Sequence, residues 1–141
     1  MAGSVRIDDV PVRLFLESQD HQDDLIRELK LIEISDHSDG STAEVSHRLA
    51  RLIGDILSRY QPVRRITREQ AMAALDRGDD VVSLDVPVFP GMADALREWL
   101  RLLEEADAVC GHGELLLLAT RPEVRDLRRR YVAELVKRLE A

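Results

Sequence analysis

The spacing of apolar residues along the chain changes several times, and each change marks an element. Val10, Val12, Leu14 and Leu16 alternate with Pro11, Arg13, Phe15 and Glu17, the two-residue period of a strand with one buried face. A strand is therefore expected at about 12–17, preceded by a loose arm over residues 1–9. From Ser18, a good N-cap, the period lengthens: Asp20, Asp23 and Asp24 fall in the early turns, and Leu25, Ile26, Leu29 and Ile32 form one stripe. This first helix should end near Ile34, before the turn-rich SDHSDGS of Ser35–Ser41.

Val45, Leu49, Leu52, Ile53, Ile56, Leu57 and Tyr60 share one arc of a second helix, which Pro62 is expected to close. The two helices read as an antiparallel hairpin. Thr67 with Gln70 three residues on is a capping-box pattern for a short third helix that stops at Gly78. Val82, Leu84, Val86 and Val88 alternate with Val81, Ser83, Asp85 and Pro87, a second strand in which Pro87 points to an edge or an end. Met92, Ala95, Leu96, Trp99, Leu103 and Ala106 mark a fourth helix that ends before Gly111. The apolar run ELLLLA, Glu114–Ala119, reads as a strand covered on both faces. Thr120, Pro122 and Glu123 then open a last helix running to about Glu140.

Val81–Ala119 has the length and order of a βαβ unit. The expected fold is accordingly α/β or α+β: a small three-stranded sheet including a C-terminal parallel βαβ unit, covered by about five helices, with an N-terminal helical hairpin. At 141 residues the chain reads as a single domain over 1–141.

Composition narrows the function more than it names it. Hydrophobic residues make up 45% of the chain but aromatic ones only 4%, so the core must be built mainly from aliphatic side chains. The formal charge of −7 repels phosphate at long range and argues against a general nucleic-acid or anionic-membrane binder. One cysteine, Cys110, leaves no intramolecular disulfide and fits a reducing compartment; with no apolar run of membrane-spanning length and no signal-peptide core, a cytoplasmic protein is expected.

No Ser-His-Asp order, nucleophile elbow, phosphate loop or dinucleotide fingerprint occurs. His21, His37, His47 and His112 never share helical spacing, Cys110 with His112 is a lone C-x-H, and a calcium loop with its glycine at Gly40 would need Glu where Ser46 stands. No metal and no cofactor is expected. His21 lies among acids, about 70° from the centre of its helix stripe, which fits a boundary histidine paired with a carboxylate better than a phosphoacceptor.

The sharpest feature is RPEVRDLRRRYVAELVKRL, residues 121–139. Val124, Leu127, Tyr131, Val132, Leu135, Val136 and Leu139 form an apolar arc with Arg128 near its middle and Arg125 inside its edge. An arginine there must pair inside the fold, snorkel past it, or meet another chain. Arg121, Arg125, Arg128 and Tyr131 are therefore the candidate partner- or anion-binding residues, with intramolecular pairing to one of the 27 acids as the alternative.

DHQDDLIRELKLIEI near the start and EEADAVCGHGELLLLATRPEVRDLRRRYVAEL near the end together resemble a group of small actinobacterial proteins associated with partner-switching regulators, the anti-sigma factors and their antagonists. The composition, with 18 Arg and 2 Lys, agrees with such a source. The motifs of kinase-type anti-sigma factors are absent, so the resemblance implies a non-kinase component and lends no active-site residue. The leading expectation is a non-catalytic regulatory protein that binds another protein or itself as a homodimer. The alternatives are a small anionic-ligand sensor using Arg121, Arg125 and Arg128, or histidine phosphotransfer through His21.

Overall fold

In the computed structural model, residues 3–34, 41–111 and 121–141 are described. Two strands, β1 (Ser4–Pro11) and β2 (Val81–Pro87), and four helices, α1 (Val12–Ile34), α2 (Ser41–Asp76), α3 (Met92–Gly111) and α4 (Pro122–Leu139), are formed. The strands pair antiparallel as a two-stranded ribbon, and neither a third strand nor a parallel βαβ unit is present among the described residues. The expected α/β or α+β fold with a three-stranded sheet and about five helices is thus corrected to a mostly helical domain. The expected strand at Leu115–Ala119 and the turn at 35–40 lie outside the described residues.

The segment read as a loose arm is β1, and the segment read as a strand is the start of α1. A bulge hid the first. Ile7 pairs with Leu84 and Val10 with Val82, three steps along one strand against two along the other. The extra residue is accommodated by Asp9 at φ 57°, a left-handed conformation that Asp tolerates better than most residues. Ile7 and Val10 therefore both reach the core although they are three positions apart. Beyond Pro11 the buried residues Val12, Phe15, Leu16, Gln19, Gln22, Leu25 and Ile26 keep a helical period, and the apparent alternation at 10–16 was its coincidental overlap with the strand end.

Pro62 lies inside α2 and does not close it. Buried Ile53, Ile56, Tyr60, Val63, Thr67, Ala71 and Ala74 continue one stripe straight past it, while Pro62 itself stands on the exposed side. Packing on the opposite face holds the helix together where the ring removes one backbone donor. Thr67 is consequently no cap: its hydroxyl donates to the Val63 carbonyl at 2.9 Å. Gln70 instead clasps β2, donating to the Asp85 carbonyl at 2.9 Å and accepting from the Asp85 amide at 2.8 Å. The helix ends in a Schellman turn, with Gly78 at φ 80° and the Asp79 amide bonded to the Ala74 carbonyl.

α1 and α2 run antiparallel, Asp20 facing Arg68 and Asp23 facing Arg64. α3 and α4 close the other side, and one apolar cluster joins all six elements from Ile7 and Leu84 at the ribbon to Leu102, Leu103 and Leu135 in the helices. Tyr60 stacks on Trp99 and meets Phe89 edge-on, and Phe15 meets Tyr131 edge-on, so the few aromatic residues fasten α1 to α4 and α2 to α3. No described helix is long and apolar enough to cross a membrane.

Continuity of α2 through Pro62 has a testable consequence. Pro62→Ala restores a backbone donor in a helix interior and is expected to raise unfolding stability by about 1–3 kcal/mol. Urea denaturation followed by circular dichroism measures it; no gain would place a helix boundary at Pro62.

Candidate functional site

Two features meet between α1, α2, α3 and α4. The first is a buried charge cluster around Asp107 of α3. Arg128, with a side chain 4% exposed, donates from Nη2 to Asp107 Oδ2 at 2.8 Å. Arg125 Nε approaches the same oxygen at 3.9 Å, and His21 Nε2 of α1 lies 3.9 Å from the other carboxylate oxygen. Asp107 follows Leu103 by four residues and Ala106 by one, so the stripe that carries α3 into the core takes the carboxylate with it.

Burial lowers the pKa of His21, which the positive charge of Arg128 reinforces and the carboxylates of Asp107, Asp24 and Glu17 oppose. The close approach of His21 to Asp107 is therefore not a formed ion pair near neutral pH. Arg121 stands apart from this cluster. It is exposed and grips Glu17 with two bonds of 2.7 Å, joining the start of α4 to α1, while Glu123 lies 3.3 Å away. That contact raises the Arg121 pKa and lowers that of Glu17.

The four residues read as one binding face are thus divided. Arg128 is buried, Arg125 is half-buried at Asp107, Arg121 is exposed but paired, and Tyr131 packs on Phe15 with its hydroxyl pKa pushed up by burial. His21 sits with its Nε2 atom buried and unpartnered.

The second feature is a cavity of about 60 Å³ beside the cluster, sharing Arg128 with it. Phe15, Tyr60, Leu96 and Trp99 supply apolar wall; Ser18, Gln19, Gln22, Arg64 and Thr67 supply polar wall. Four of the lining side chains carry a buried polar atom without a hydrogen-bond partner: Gln19 Oε1, Tyr60 Oη, Arg64 Nε and Arg128 Nε. Such concentration is unusual, because buried polar groups are nearly always paired. Burial also raises the Tyr60 pKa, so its hydroxyl stays protonated and available as a donor. Outside the cavity, and sharing Gln19 and Arg64 with it, is an open groove of about 280 Å³ bounded also by Asp23, Gln61, Arg65 and Arg68.

Sequence reasoning missed Gln19, Tyr60, Arg64, Thr67, Trp99 and Asp107 as site residues. A signal was there: Ser18, Gln19 and Gln22 are polar residues on the buried face of α1, which becomes visible once the helix is begun at Val12. Among the described residues no group of three His, Cys, Asp or Glu side chains could hold a metal ion, and His37 and His112 lie outside them.

Removing one partner of the buried pair should cost far more than removing both. Asp107→Leu strands Arg128 and is expected to cost about 3–5 kcal/mol, whereas Asp107→Leu combined with Arg128→Met recovers most of it. Denaturant unfolding of the double-mutant cycle reads the difference, and additive losses would refute the pairing.

His21 gives a pH dependence of defined sign. Its folded pKa lies below the ordinary 6.5, so the unfolded chain takes up a proton first as pH falls. Stability should be full above about pH 6.5 and decline below it, and His21→Gln should flatten that part of the profile when thermal unfolding is followed from pH 7.5 to 5. An unchanged profile would show that His21 is not held neutral. Comparison of the chain with protein-family models, curated proteins and solved structures finds no match.

Proposed function

We propose that this protein is a non-catalytic regulatory protein that binds a small molecule between its helices. The observation that carries this reading is the cavity whose lining side chains include Gln19, Tyr60, Arg64 and Arg128, each with an unpaired buried polar atom. Concave, mostly apolar sites with a few polar groups are where small ligands bind. The unpaired atoms supply orientation, and the aromatic wall supplies contact.

Protein binding through Arg121, Arg125, Arg128 and Tyr131 is less well supported, because these side chains do not share an accessible face. Phosphotransfer through His21 is disfavoured by its buried, neutral imidazole beside a carboxylate. A regulatory output through another protein remains the natural complement of ligand binding, and the sequence resemblance to partner-switching components agrees with it. The walls come from four helices, so an occupant stabilises their mutual packing and changes the surface they present.

The only tryptophan in the chain, Trp99, lines the cavity and reports directly on its occupancy. Screening small metabolites by Trp99 fluorescence and thermal shift should find at least one that moves both, with about 2.7 kcal/mol of added stability at a concentration of 100 times Kd. Val63→Leu, which adds bulk to the wall, should abolish the response while the protein stays folded. A screen without any response would overturn the reading.

A further inference from the structure

We infer that the ligand is a short-chain hydroxy acid, its hydroxyl inside the cavity and its carboxylate in the arginine groove outside. The inference rests on the reading of the cavity as a ligand site and adds the chemical class.

The hydroxyl follows from the bonding already made around Gln19. Its Nε2 atom donates to Thr67 Oγ1 at 3.3 Å and to the Arg64 carbonyl at 3.4 Å. The Thr67 hydroxyl donates to the Val63 carbonyl at 2.9 Å with the Arg64 carbonyl at 3.2 Å, and that same Arg64 carbonyl turns the Gln19 amide nitrogen toward it, so Gln19 Oε1 is left as a buried acceptor without a donor. Tyr60 and Arg128 have the opposite need, an O–H and an Nε–H without acceptors. A hydroxyl group has one donor and two acceptor sites and so matches these three needs in kind. A carbonyl lacks the donor for Gln19. An ammonium lacks the acceptors, and among the residues lining the cavity the charged ones are Arg64 and Arg128, with no carboxylate to balance another cation.

The carboxylate follows from the groove. Arg64, Arg65 and Arg68 line it, whereas Asp23 is the one acid in its lining and Asp20, outside the lining, pairs with Arg68 at 2.9 Å. Arg64 spends Nη2 on Asp23 at 2.8 Å and on the Gln19 carbonyl at 3.2 Å, leaving Nε unpartnered. Arg65 makes no ion pair among the described residues. Three guanidinium groups against two carboxylates leave a local positive excess on a chain of net charge −7. Gln19 and Arg64 line both spaces, so the groove and the cavity adjoin with these two side chains between them.

The size limit follows from the cavity volume. A cavity of about 60 Å³ is small, which suits a hydroxyl with the carbon bearing it better than a bulky group. Phosphate alone would occupy the groove and leave the cavity atoms unpaired.

The test titrates the full chain with 3-hydroxybutyrate, butyrate, butan-2-ol and inorganic phosphate, reading Trp99 fluorescence and backbone amide shifts. The expected result is saturable binding of 3-hydroxybutyrate, at least about tenfold tighter than butyrate or butan-2-ol, with shifts at both Gln19 and Arg65. Arg65→Gln, a change at an exposed side chain, should weaken 3-hydroxybutyrate about tenfold and leave butan-2-ol unaffected. Tyr60→Phe, which keeps the ring stack, should erase the preference over butyrate. Equal binding of butyrate would overturn the hydroxyl assignment, and equal binding of butan-2-ol or insensitivity to Arg65→Gln would overturn the carboxylate assignment. Phosphate binding alone would overturn the class. In each case a Trp99 response to some other metabolite would leave the cavity standing as a ligand site. Silence of Trp99 toward these probes and the whole metabolite screen would overturn both readings and assign the cavity to water.

Discussion

The carboxylate of Asp107 constrains three of the four helices at once. It is brought into the core by α3, bonded by Arg128 from α4, and approached by Arg125 from α4 and His21 from α1. Moving a charge pair out of water costs several kcal/mol per ion, and the attraction recovers this only when the geometry is good. The pair therefore contributes little net stability but penalises every packing that separates its members. A slide of α4 by one turn along α3 would leave Arg128 facing an apolar wall. The same contact fixes the cavity, because Arg128 is one of its walls, while burial lowers the pKa of His21 against the pull of the Asp107 carboxylate.

The molecule is built with an apolar end and a polar middle. At the ribbon, Ile7, Val10, Leu84 and Val86 pack without polar partners, and Gln70 fastens α2 to β2 by mimicking the bonding of a strand edge. Further along α1, Ser18, Gln19 and Gln22 take positions that a simple core would give to Leu or Ile. Replacing them by apolar residues would remove several buried polar groups and fill space, both favourable to stability. A cost concentrated at one place in an otherwise aliphatic core is the pattern expected where function competes with packing.

How much of this could be read from the sequence depended on whether local pattern and tertiary contact agreed. They agree for β2, for α3 and for α4, whose start is marked by Pro122 at its first turn. They disagree at β1, where the bulge at Asp9 shifts the inward-facing positions and breaks the alternation. They disagree again at Pro62, where a strong local stop signal is overridden by a stripe running from Ile53 to Ala74. Arg128 was visible as a charge on an apolar arc, and its burial against an acid was one of the outcomes that pattern allowed. Its partner was not visible, since the pairing of Asp107 with a residue 21 positions later is set by how α3 and α4 pack.

Charged pairs span the outer margins of the helices around the cavity. Arg64 with Asp23 and Arg68 with Asp20 join α1 to α2, and Arg121 with Glu17 joins the start of α4 to α1. Apart from Arg64, whose side chain is 11% exposed, these groups are substantially exposed, and exposed pairs are individually weak and screened by salt. The interior contacts of the same helices, from Leu25 and Ile53 to Leu135, are aliphatic and fully desolvated. Opening at the charged margin is therefore cheaper than separating the helices. Arg64 holds both Asp23 and the Gln19 carbonyl, so the contact that spans this margin also reaches the lining of the cavity.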